Sequence, residues 1–566
     1  MQKMNDIKMS NFARTIMDGM VKMSNFARTI MERTYSHTIE DRKETWPEIA
    51  ARVTQNVMQS VGIDMQQNLA QEIYRTIRDR KFIPGGRYLY ASGNQYHQVS
   101  NCVLLKVHDS REGWSELLYK GSMALMSGAG IGCDYSDIRH DGSLIRKTGG
   151  TATGPLSLMQ ILNECGRGIM QGGNRRSAIW AGLRWDHPDI HRFIRIKDWP
   201  PEMYTLKAKD YSFPAILDYT NISVQLNDEF FSAYTDNEHP HHSLAHNVYW
   251  AAVEQMLKTG EPGFTVDIGE NVGETLRNAC GELSSHDTDD ICNLGSINLS
   301  RIETIEEFKN IINLAIAFLL AGTVYSDVPY NDVDKVRNKN RRLGLGLMGI
   351  HEWLLRRSKP YGPDAQLAGW LEAYSNSGCI ANKWADKWRL SQPKKTRAIA
   401  PTGTTSIIAE TTSGIEPIFC IAFKRRYVKG NQHCYQYVID PCARRLIESG
   451  VNPKNIEDAY MLAQDVDRRI AFQTWVQQYV DHCISSTINL PAFGSELNNQ
   501  STVRPFGLML MRYLPQLRGI TCYPDGGRAG QPLLPVSYEE ALANQGIEIV
   551  EESTNACSLR GTGCGD

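Results

Sequence analysis

The chain has 566 residues, with 61 Lys plus Arg against 63 Asp plus Glu and a formal net charge of −2. A hydrophobic fraction of 42% and a charged fraction of 22% are ordinary for a soluble protein, and the balanced charge indicates neither a nucleic-acid nor a membrane surface. We expect no apolar run near the ~20 residues that span a bilayer and find no apolar signal core, which predicts a cytoplasmic protein.

Thirteen cysteines without C-x-x-C pairs argue against a zinc ribbon and against a disulfide framework. In a reducing compartment, a disulfide that does form is expected to be transient and catalytic. The cluster His239, His241 and His242 could hold a metal, but it is more typical of a polar loop before a helix. We therefore predict no metal site.

The N-terminal region repeats ten residues, KMSNFARTIM, at 8–17 and 22–31. Two such short units cannot form a solenoid, and we assign the repeat no function. From Thr45 to about Asp79, apolar residues recur at helical spacing. We predict a helical N-terminal region over residues 1–95.

Residues 99–107 form an apolar run that predicts a strand carrying Cys102, which would ordinarily be a core residue. Two glycine-flanked loops follow, at 143–147 and 172–176, and they carry Arg146 and Arg175. A planar guanidinium on such a loop suits phosphate or base recognition, and equally suits a solvated surface.

Asn278, Cys280 and Glu282 alternate along a short segment, so an extended backbone would point all three side chains the same way. A thiol there can be a nucleophile, a metal ligand or a one-electron carrier, and the carboxylate can take a proton. A loop with an ordinary buried cysteine is the structural alternative.

Residues 344–349 match the dinucleotide pattern G-x-G-x-x-G. That pattern must follow a strand, whereas residues 335–342 are charged and lack a β-branched core. We therefore disfavour a dehydrogenase.

Residues 396–400 predict a short buried strand, and residues 407–410 have helical character. The hydroxyl-rich turn between them would leave unpaired helical N–H groups facing an anion, although a plain N-cap is the alternative. Without the lysine of a Walker loop, the turn should hold phosphates without transferring them.

The C-terminal part begins with an apolar strand at 519–524 that contains Tyr523 and ends in a turn. A helical run follows at 538–545, and then a polar tail carries Cys557 and Cys564. Mobile, accessible thiols close in sequence suit thiol exchange, although two terminal cysteines can also be inert.

Seven stretches of this chain, in order from about Glu44 to the last residue, resemble ribonucleotide reductases. They are Ser100–Leu104, 129–132, 172–176, the Asn-x-Cys-x-Glu finger loop at 278–282, 401–406, 414–417 and the C-terminal cysteine pair. The resemblance implies a ten-stranded α/β barrel of two five-stranded parallel halves around a central finger loop. It would occupy residues 96–536, before a mobile tail at 537–566. The resemblance also implies that residues 344–349 are a helix-packing segment, where glycines let elements approach closely.

The resemblance also implies roles for five residues in the reduction of ribonucleotides to 2′-deoxyribonucleotides. Cys280 would hold a thiyl radical that removes the ribose 3′ hydrogen, and Glu282 would take the 3′-hydroxyl proton. Asn278 would bind the sugar hydroxyls, and Cys102 and Cys292 would supply electrons and become a disulfide. A non-catalytic nucleotide-binding regulatory protein of the same fold is the alternative.

Further sites follow from the same resemblance. Cys557 and Cys564 would pass electrons from thioredoxin or glutaredoxin, and Asp109, Arg146 and Arg175 would bind a deoxynucleoside triphosphate or ATP effector in a homodimer. Mg²⁺ would accompany the nucleotides. The substrate phosphates would bind Pro401, Thr402, Gly403, Thr404, Thr405 and Ser406.

The resemblance leaves two properties open, because members of the family differ in them: the source of the radical, and whether the substrate is a ribonucleoside diphosphate or triphosphate. One branch uses adenosylcobalamin, and another receives the radical from a dimetal small subunit through two adjacent tyrosines. Here only Tyr523 is present at the matching place, after Cys522. Too little chain precedes Trp46 for the family's ATP-cone, so we expect a compact form like those of phages, which would act in the host cytoplasm.

Overall fold

The computed structural model describes residues 23–171, 175–210, 213–429, 432–527, 533–545 and 547–550. The described N-terminal region is helical, as predicted, apart from a small hairpin of Thr38–Ile39 with Arg42–Lys43. Its second long helix begins at a capping box, in which Thr45 and Glu48 satisfy each other's backbone N–H groups. The helices are Asn25–Thr34, Trp46–Gln59, Asn68–Arg78 and Gly86–Ala91.

Five parallel strands form the first half of a barrel, and we number them β1 to β5. They are β1 (Cys102–Lys106), β2 (Gly130–Asp134), β3 (Ile179–Arg184), β4 (Thr220–Asn227) and β5 (Gly263–Asp267). Helices connect them, as parallel strands require. These helices are Arg111–Ser127, Gly154–Gly168, Ile190–Arg195, Pro201–Lys209, Asp228–Thr235 and His242–Thr259.

The second half has four further strands and one bridging segment. The strands are β6 (Asp290–Asn298), β7 (Leu343–Met348), β8 (Thr487–Leu490) and β9 (Gly519–Pro524). β6 pairs in parallel with β7, and β8 with β9. Residues 397–399 lie between these pairs, with parallel bridges to Leu345 and Ile484, so the predicted buried strand occupies the fifth place.

The two halves meet at two antiparallel seams, one between β1 and β6 and the other between β5 and β9. The nine strands and residues 397–399 therefore close into a ring of ten, which confirms the predicted barrel of two parallel halves. The extra strand Phe82–Pro84 pairs with β6 beside the ring. Every residue of β6 is buried, as expected for a strand covered on both faces.

Helices on the outside of the second half bury a large apolar core. Its longest helix, Ile305–Tyr325, has the length and mean hydropathy (1.5) of a membrane span, contrary to our expectation, but 72% of its most apolar window is buried inside the protein. The other helices here are Asn331–Asn340, Ile350–Leu355, Ala365–Ser375, Ser377–Trp388, Gly403–Ala409, Pro441–Glu448, Ala459–Leu462, Val466–Gln477 and Val503–Tyr513. Single 3₁₀ turns lie at Gly269–Asn271, Leu299–Arg301, Pro453–Asn455, Gln500–Thr502 and Leu514–Gln516.

The glycine pattern at 344–349 lies largely within β7, so our interpretation as a helix-packing segment is wrong. A Cβ on Gly344 would stand 2.3 Å from the Leu294 side chain, and one on Gly346 would stand 2.7 Å from the Ala398 carbonyl oxygen. The glycines therefore let neighbouring barrel strands and residues 397–399 approach.

A small antiparallel sheet, which the sequence did not predict, joins residues 422–439 to the C-terminal part. Its strands are Leu533–Pro535, Ala422–Lys429, Gln432–Ile439 and Glu548–Val550. Helix Tyr538–Ala543 packs on it through the buried Ala541. The expected tail boundary at residue 537 therefore lies within a folded unit, and Cys557 and Cys564 lie outside the described residues.

Candidate active site

A hairpin between β5 and β6 carries the predicted finger loop. Leu276–Arg277 pairs with Ser284–Ser285, and Gly281 closes a tight turn by donating its N–H to the Asn278 carbonyl at 3.0 Å, with a left-handed φ of 79°. The backbone is therefore a turn and not the extended segment we expected. Cys280 is exposed at its tip, whereas Asn278 and Glu282 are buried.

The hairpin contacts both halves of the barrel. On the first half, a Cβ on Gly132 of β2 would stand 1.9 Å from the Arg277 carbonyl oxygen, so only glycine allows the loop to pass. On the second half, the Cys483 N–H donates to the Glu282 carbonyl at 2.8 Å. The finger loop therefore lies inside the ring, as the resemblance predicts.

Cys102 and Cys292 lie directly opposite each other across the β1–β6 seam. Directly opposed residues of antiparallel strands have Cα atoms about 4.5–5.5 Å apart, which is within the range that a disulfide spans. Both residues are buried, and the structure has both as thiols. Burial raises the pKa of Cys292 well above its ordinary value, so this sulfur stays protonated at neutral pH.

Asn278 connects the finger loop to this cysteine pair. Its Nδ2 lies 3.4 Å from the Cys102 sulfur, and its Oδ1 accepts the Leu283 N–H at 2.9 Å. The side chain is therefore fixed at both ends by groups of the site.

Glu282 is 1% exposed, and its Oε2 has no hydrogen-bond partner among the described residues. Burial raises the pKa of this carboxyl to about 7, although the neighbouring Asn278 amide opposes the shift. A carboxyl with this pKa can accept a proton near neutral pH.

A buried ionic network anchors the base of the hairpin. Arg277, fully buried, donates to Asp267 at 2.6 Å, and Glu274 accepts from Arg518 at 2.9 Å and also pairs with Lys395. These cations hold the pKa of Glu274 far below its usual range despite burial. Sequence reasoning missed this network because Lys395 and Arg518 are distant along the chain from the other members.

Residues 397–399 lead into the predicted phosphate turn, but helix Gly403–Ala409 begins earlier than the predicted helical segment at 407–410, so only Pro401 and Thr402 of the predicted turn precede the helix. Thr402, with a left-handed φ of 50°, precedes the helix and accepts the Gly414 N–H on its hydroxyl at 3.0 Å. The Thr404 hydroxyl contacts the Tyr35 hydroxyl at 2.5 Å. Pro401, Thr402 and Thr404 are partly exposed, Gly403 is exposed, and Thr405 and Ser406 are buried.

Two of the predicted effector residues, Asp109 and Arg146, lie on neighbouring loops. Asp109 pairs with Arg139 at 2.7 Å, and Arg139 also contacts the Leu144 carbonyl, which brings Asp109 to the loop of the exposed Arg146. Arg139 was not predicted from the sequence. Arg175 begins a two-residue strand paired with Met170–Gln171, but its side chain and residues 172–174 lie outside the described part.

A cavity of about 210 Å³ opens at the starts of β3, β4 and β5. Asn221, in its wall, donates to the Ala279 carbonyl at 3.1 Å and so brings the cavity beside the finger tip. Tyr523 is half-buried on β9, and a Cβ on Gly260 would stand 2.3 Å from its ring. Its neighbour Cys522 is fully buried.

Comparison with known proteins identifies the family. The ribonucleotide reductase barrel domain matches residues 100–258, 241–368 and 394–514, and the ribonucleotide reductase alpha domain matches residues 9–94. The chain belongs to the ribonucleotide reductase family. It is a catalytic reductase rather than the regulatory alternative, because relatives that cover most of its length are named as reductases.

Three relatives of the reductase carry names that specify a cofactor. The vitamin B12-dependent ribonucleoside-diphosphate reductase of Thermoplasma acidophilum is 28% identical, covering 83% of this chain and 67% of its own. The Mycobacterium tuberculosis protein of the same name is 27% identical, covering 85% and 75%. A putative adenosylcobalamin-dependent ribonucleoside-triphosphate reductase of Mycobacterium phage D29 is 26% identical, covering 70% and 74%.

Proposed function

We propose that the reductase uses Cys280 as its thiyl radical, with Glu282 as proton acceptor and Cys102 with Cys292 as reductant. The observation that carries this assignment is the finger loop inside the ring, with Cys280 at its tip and the opposed cysteines at the neighbouring seam. Holding the reacting groups together in this way supplies a large part of the barrier reduction.

The reaction balances with these groups alone once the radical is present. Cys280 takes the 3′ hydrogen of the ribose, Glu282 takes the 3′-hydroxyl proton, and the 2′-hydroxyl leaves as water. Cys102 and Cys292 supply two electrons and two protons and form a disulfide, and Cys280 returns the 3′ hydrogen. The pKa of about 7 at Glu282 suits a group that must accept and return a proton.

We propose adenosylcobalamin as the radical source, since three relatives are named as dependent on it. When bound, this cofactor supplies a carbon radical that can take the hydrogen atom of a thiol. Cys280 is exposed, as such a partner requires, and the polar wall of Ser177, Tyr219 and Asn221 would contact only part of the cofactor, because the cavity of about 210 Å³ beside the finger loop is too small to enclose it. Only Tyr523, without an adjacent tyrosine, is present for a radical relay from a small subunit.

The substrate is a ribonucleoside diphosphate or triphosphate, and the names of the relatives include both. We propose that its phosphates bind the 401–406 turn, which offers hydroxyls and the first N–H groups of helix Gly403–Ala409. Mg²⁺ would accompany the nucleotide and balance part of its phosphate charge.

We propose that a nucleotide effector regulates the reductase and that the C-terminal cysteines re-reduce its barrel disulfide. A deoxynucleoside triphosphate or ATP effector would bind near Asp109, Arg146 and Arg175 at the interface of a homodimer. In the reducing cytoplasm, thioredoxin or glutaredoxin would reduce Cys557 and Cys564, and these would reduce the barrel disulfide by thiol exchange.

The experiment is reduction of a ribonucleotide by the purified chain with dithiothreitol, with and without adenosylcobalamin. We expect deoxynucleotide only when the cofactor is present. Turnover that instead requires a second, metal-containing protein would contradict the proposed radical source. No turnover with either would contradict the assignment of the site.

A further inference from the structure

A second, larger cavity, of about 980 Å³, lies between the N-terminal helices and the residues that follow β6. None of its lining residues belongs to the finger loop or to the 401–406 turn. Its described lining includes seven Lys or Arg residues against three acidic ones, so its walls carry excess positive charge. The cations on which the argument depends are Arg28, Lys43, Arg80, Arg301 and Arg356.

Arg301 is a partly buried cation of this lining that has no ion-pair partner among the described residues. Its Nε is buried without a hydrogen-bond partner among the described residues, and its Nη2 makes only a long contact of 3.4 Å with the Ala409 carbonyl. Burial, together with the nearby Arg80 and Arg445, lowers the pKa of Arg301 to about 10. Arg301 is partly buried, and a partly buried guanidinium among like charges is stabilised when an anion pairs with it.

Within the part of the chain that the structure describes, carboxylates pair with the two neighbouring cations and not with Arg301. Arg80 pairs with Glu410 at 2.8 Å, and Arg445 pairs with Glu352 at 2.7 Å. The cluster of three guanidiniums and two carboxylates therefore keeps one positive charge beside the cavity.

We propose that this cavity binds a phosphate-bearing metabolite of nucleotide size, whose phosphates pair with Arg301, Arg28 and Lys43. Its volume lies within the range of about 300–1,000 Å³ that is usual for small-molecule sites. Met23, Met31 and Trp46 add apolar surface to the lining, which suits the ring portion of such a ligand. Guanidinium groups are suited to phosphate because they present several fixed donors.

The walls of this cavity also contact the helix that follows the phosphate turn. Arg80 of the lining donates to the Ile408 carbonyl at 3.1 Å. The two caps of helix Asn25–Thr34, which carries the lining residues Arg28 and Met31, also make such contacts: Ser24 donates its N–H to Glu410 at 2.9 Å, and Tyr35 contacts Thr404. Occupancy of the cavity should therefore alter substrate affinity, and by linkage the substrate should alter ligand affinity by the same factor. This coupling, unlike the binding itself, rests on the proposed role of the 401–406 turn.

The test is calorimetric titration of the full chain with ATP and, separately, with inorganic tripolyphosphate. Saturating substrate and effector are present, and the radical source is left out. The variant Arg28→Gln with Lys43→Gln removes two lining cations. The control Arg33→Gln with Arg75→Gln removes two exposed cations of neighbouring N-terminal helices that do not line the cavity.

We expect one additional site per chain, at least tenfold weaker in the lining variant and unchanged in the control. Tighter binding of ATP than of tripolyphosphate would identify a nucleotide, and equal binding would identify the phosphates alone as the recognised group. Equal affinities in the lining variant and the control, or no additional site in the wild type, would overturn the proposal. Because no turnover is required, failure here is distinct from failure of the proposed reaction.

Discussion

Replacing Glu282 by Gln should abolish catalysis and, at high pH, increase the stability of the fold. Burial raises the pKa of this carboxyl from 4.5 to about 7 in the folded chain, a shift worth about 3 kcal/mol. The folded state therefore binds its proton more tightly than the unfolded state does. Stability from this group is fully present below pH 4.5, decreases as pH rises through about 7, and stays low above it.

The side-chain amide of Gln cannot ionise. The Glu282→Gln variant should therefore not lose folding stability as the pH rises. We expect the variant to be more stable than the wild type by up to about 3 kcal/mol at pH 8.5, with the difference vanishing towards pH 4.5. It should form no deoxynucleotide, and wild-type turnover should rise with pH through about 7 as the carboxylate forms. Denaturant midpoints across this pH range and product assays measure both effects. A variant equally or less stable at pH 8.5 would refute the reasoning.

Three further changes probe the electron and radical routes. Cys102→Ser should prevent disulfide formation with Cys292 and abolish turnover with dithiothreitol, as peptide mapping after one turnover would report. Cys557→Ser with Cys564→Ser should stop thioredoxin-driven turnover but spare one turnover of pre-reduced enzyme, and many thioredoxin-driven turnovers would exclude a shuttle. Tyr523→Phe should retain most cobalamin-supported turnover, because it keeps the ring packed near Gly260, whereas complete loss would favour a tyrosine relay.

Local patterns in the sequence predicted much of the barrel. The apolar run at 99–107 gave β1, the run at 519–524 gave β9, and residues 396–400 formed the predicted buried segment. These succeed because fully buried strands are recognisable as short apolar runs bounded by turns. The closure of the ring came from the family resemblance, since periodicity carries no information about strand pairing.

Features that depend on contacts distant along the chain were not predictable in this way. The glycines at 344–349 lie in a strand because the neighbouring Leu294 and Ala398, both far away along the chain, leave no room for a side chain. The finger loop is a turn because Gly281 adopts a positive φ, which alternation of Asn278 and Glu282 alone did not reveal.

The identity of the radical residue is the central claim, and Cys280→Ala tests it most directly. The matched control is Cys379→Ala, which removes another exposed thiol from helix Ser377–Trp388. The measurement is deoxynucleotide formed per chain with adenosylcobalamin and dithiothreitol, alongside substrate affinity. We predict no product from Cys280→Ala with substrate affinity unchanged, and full turnover from the control. Appreciable product from the Cys280→Ala variant would contradict the account.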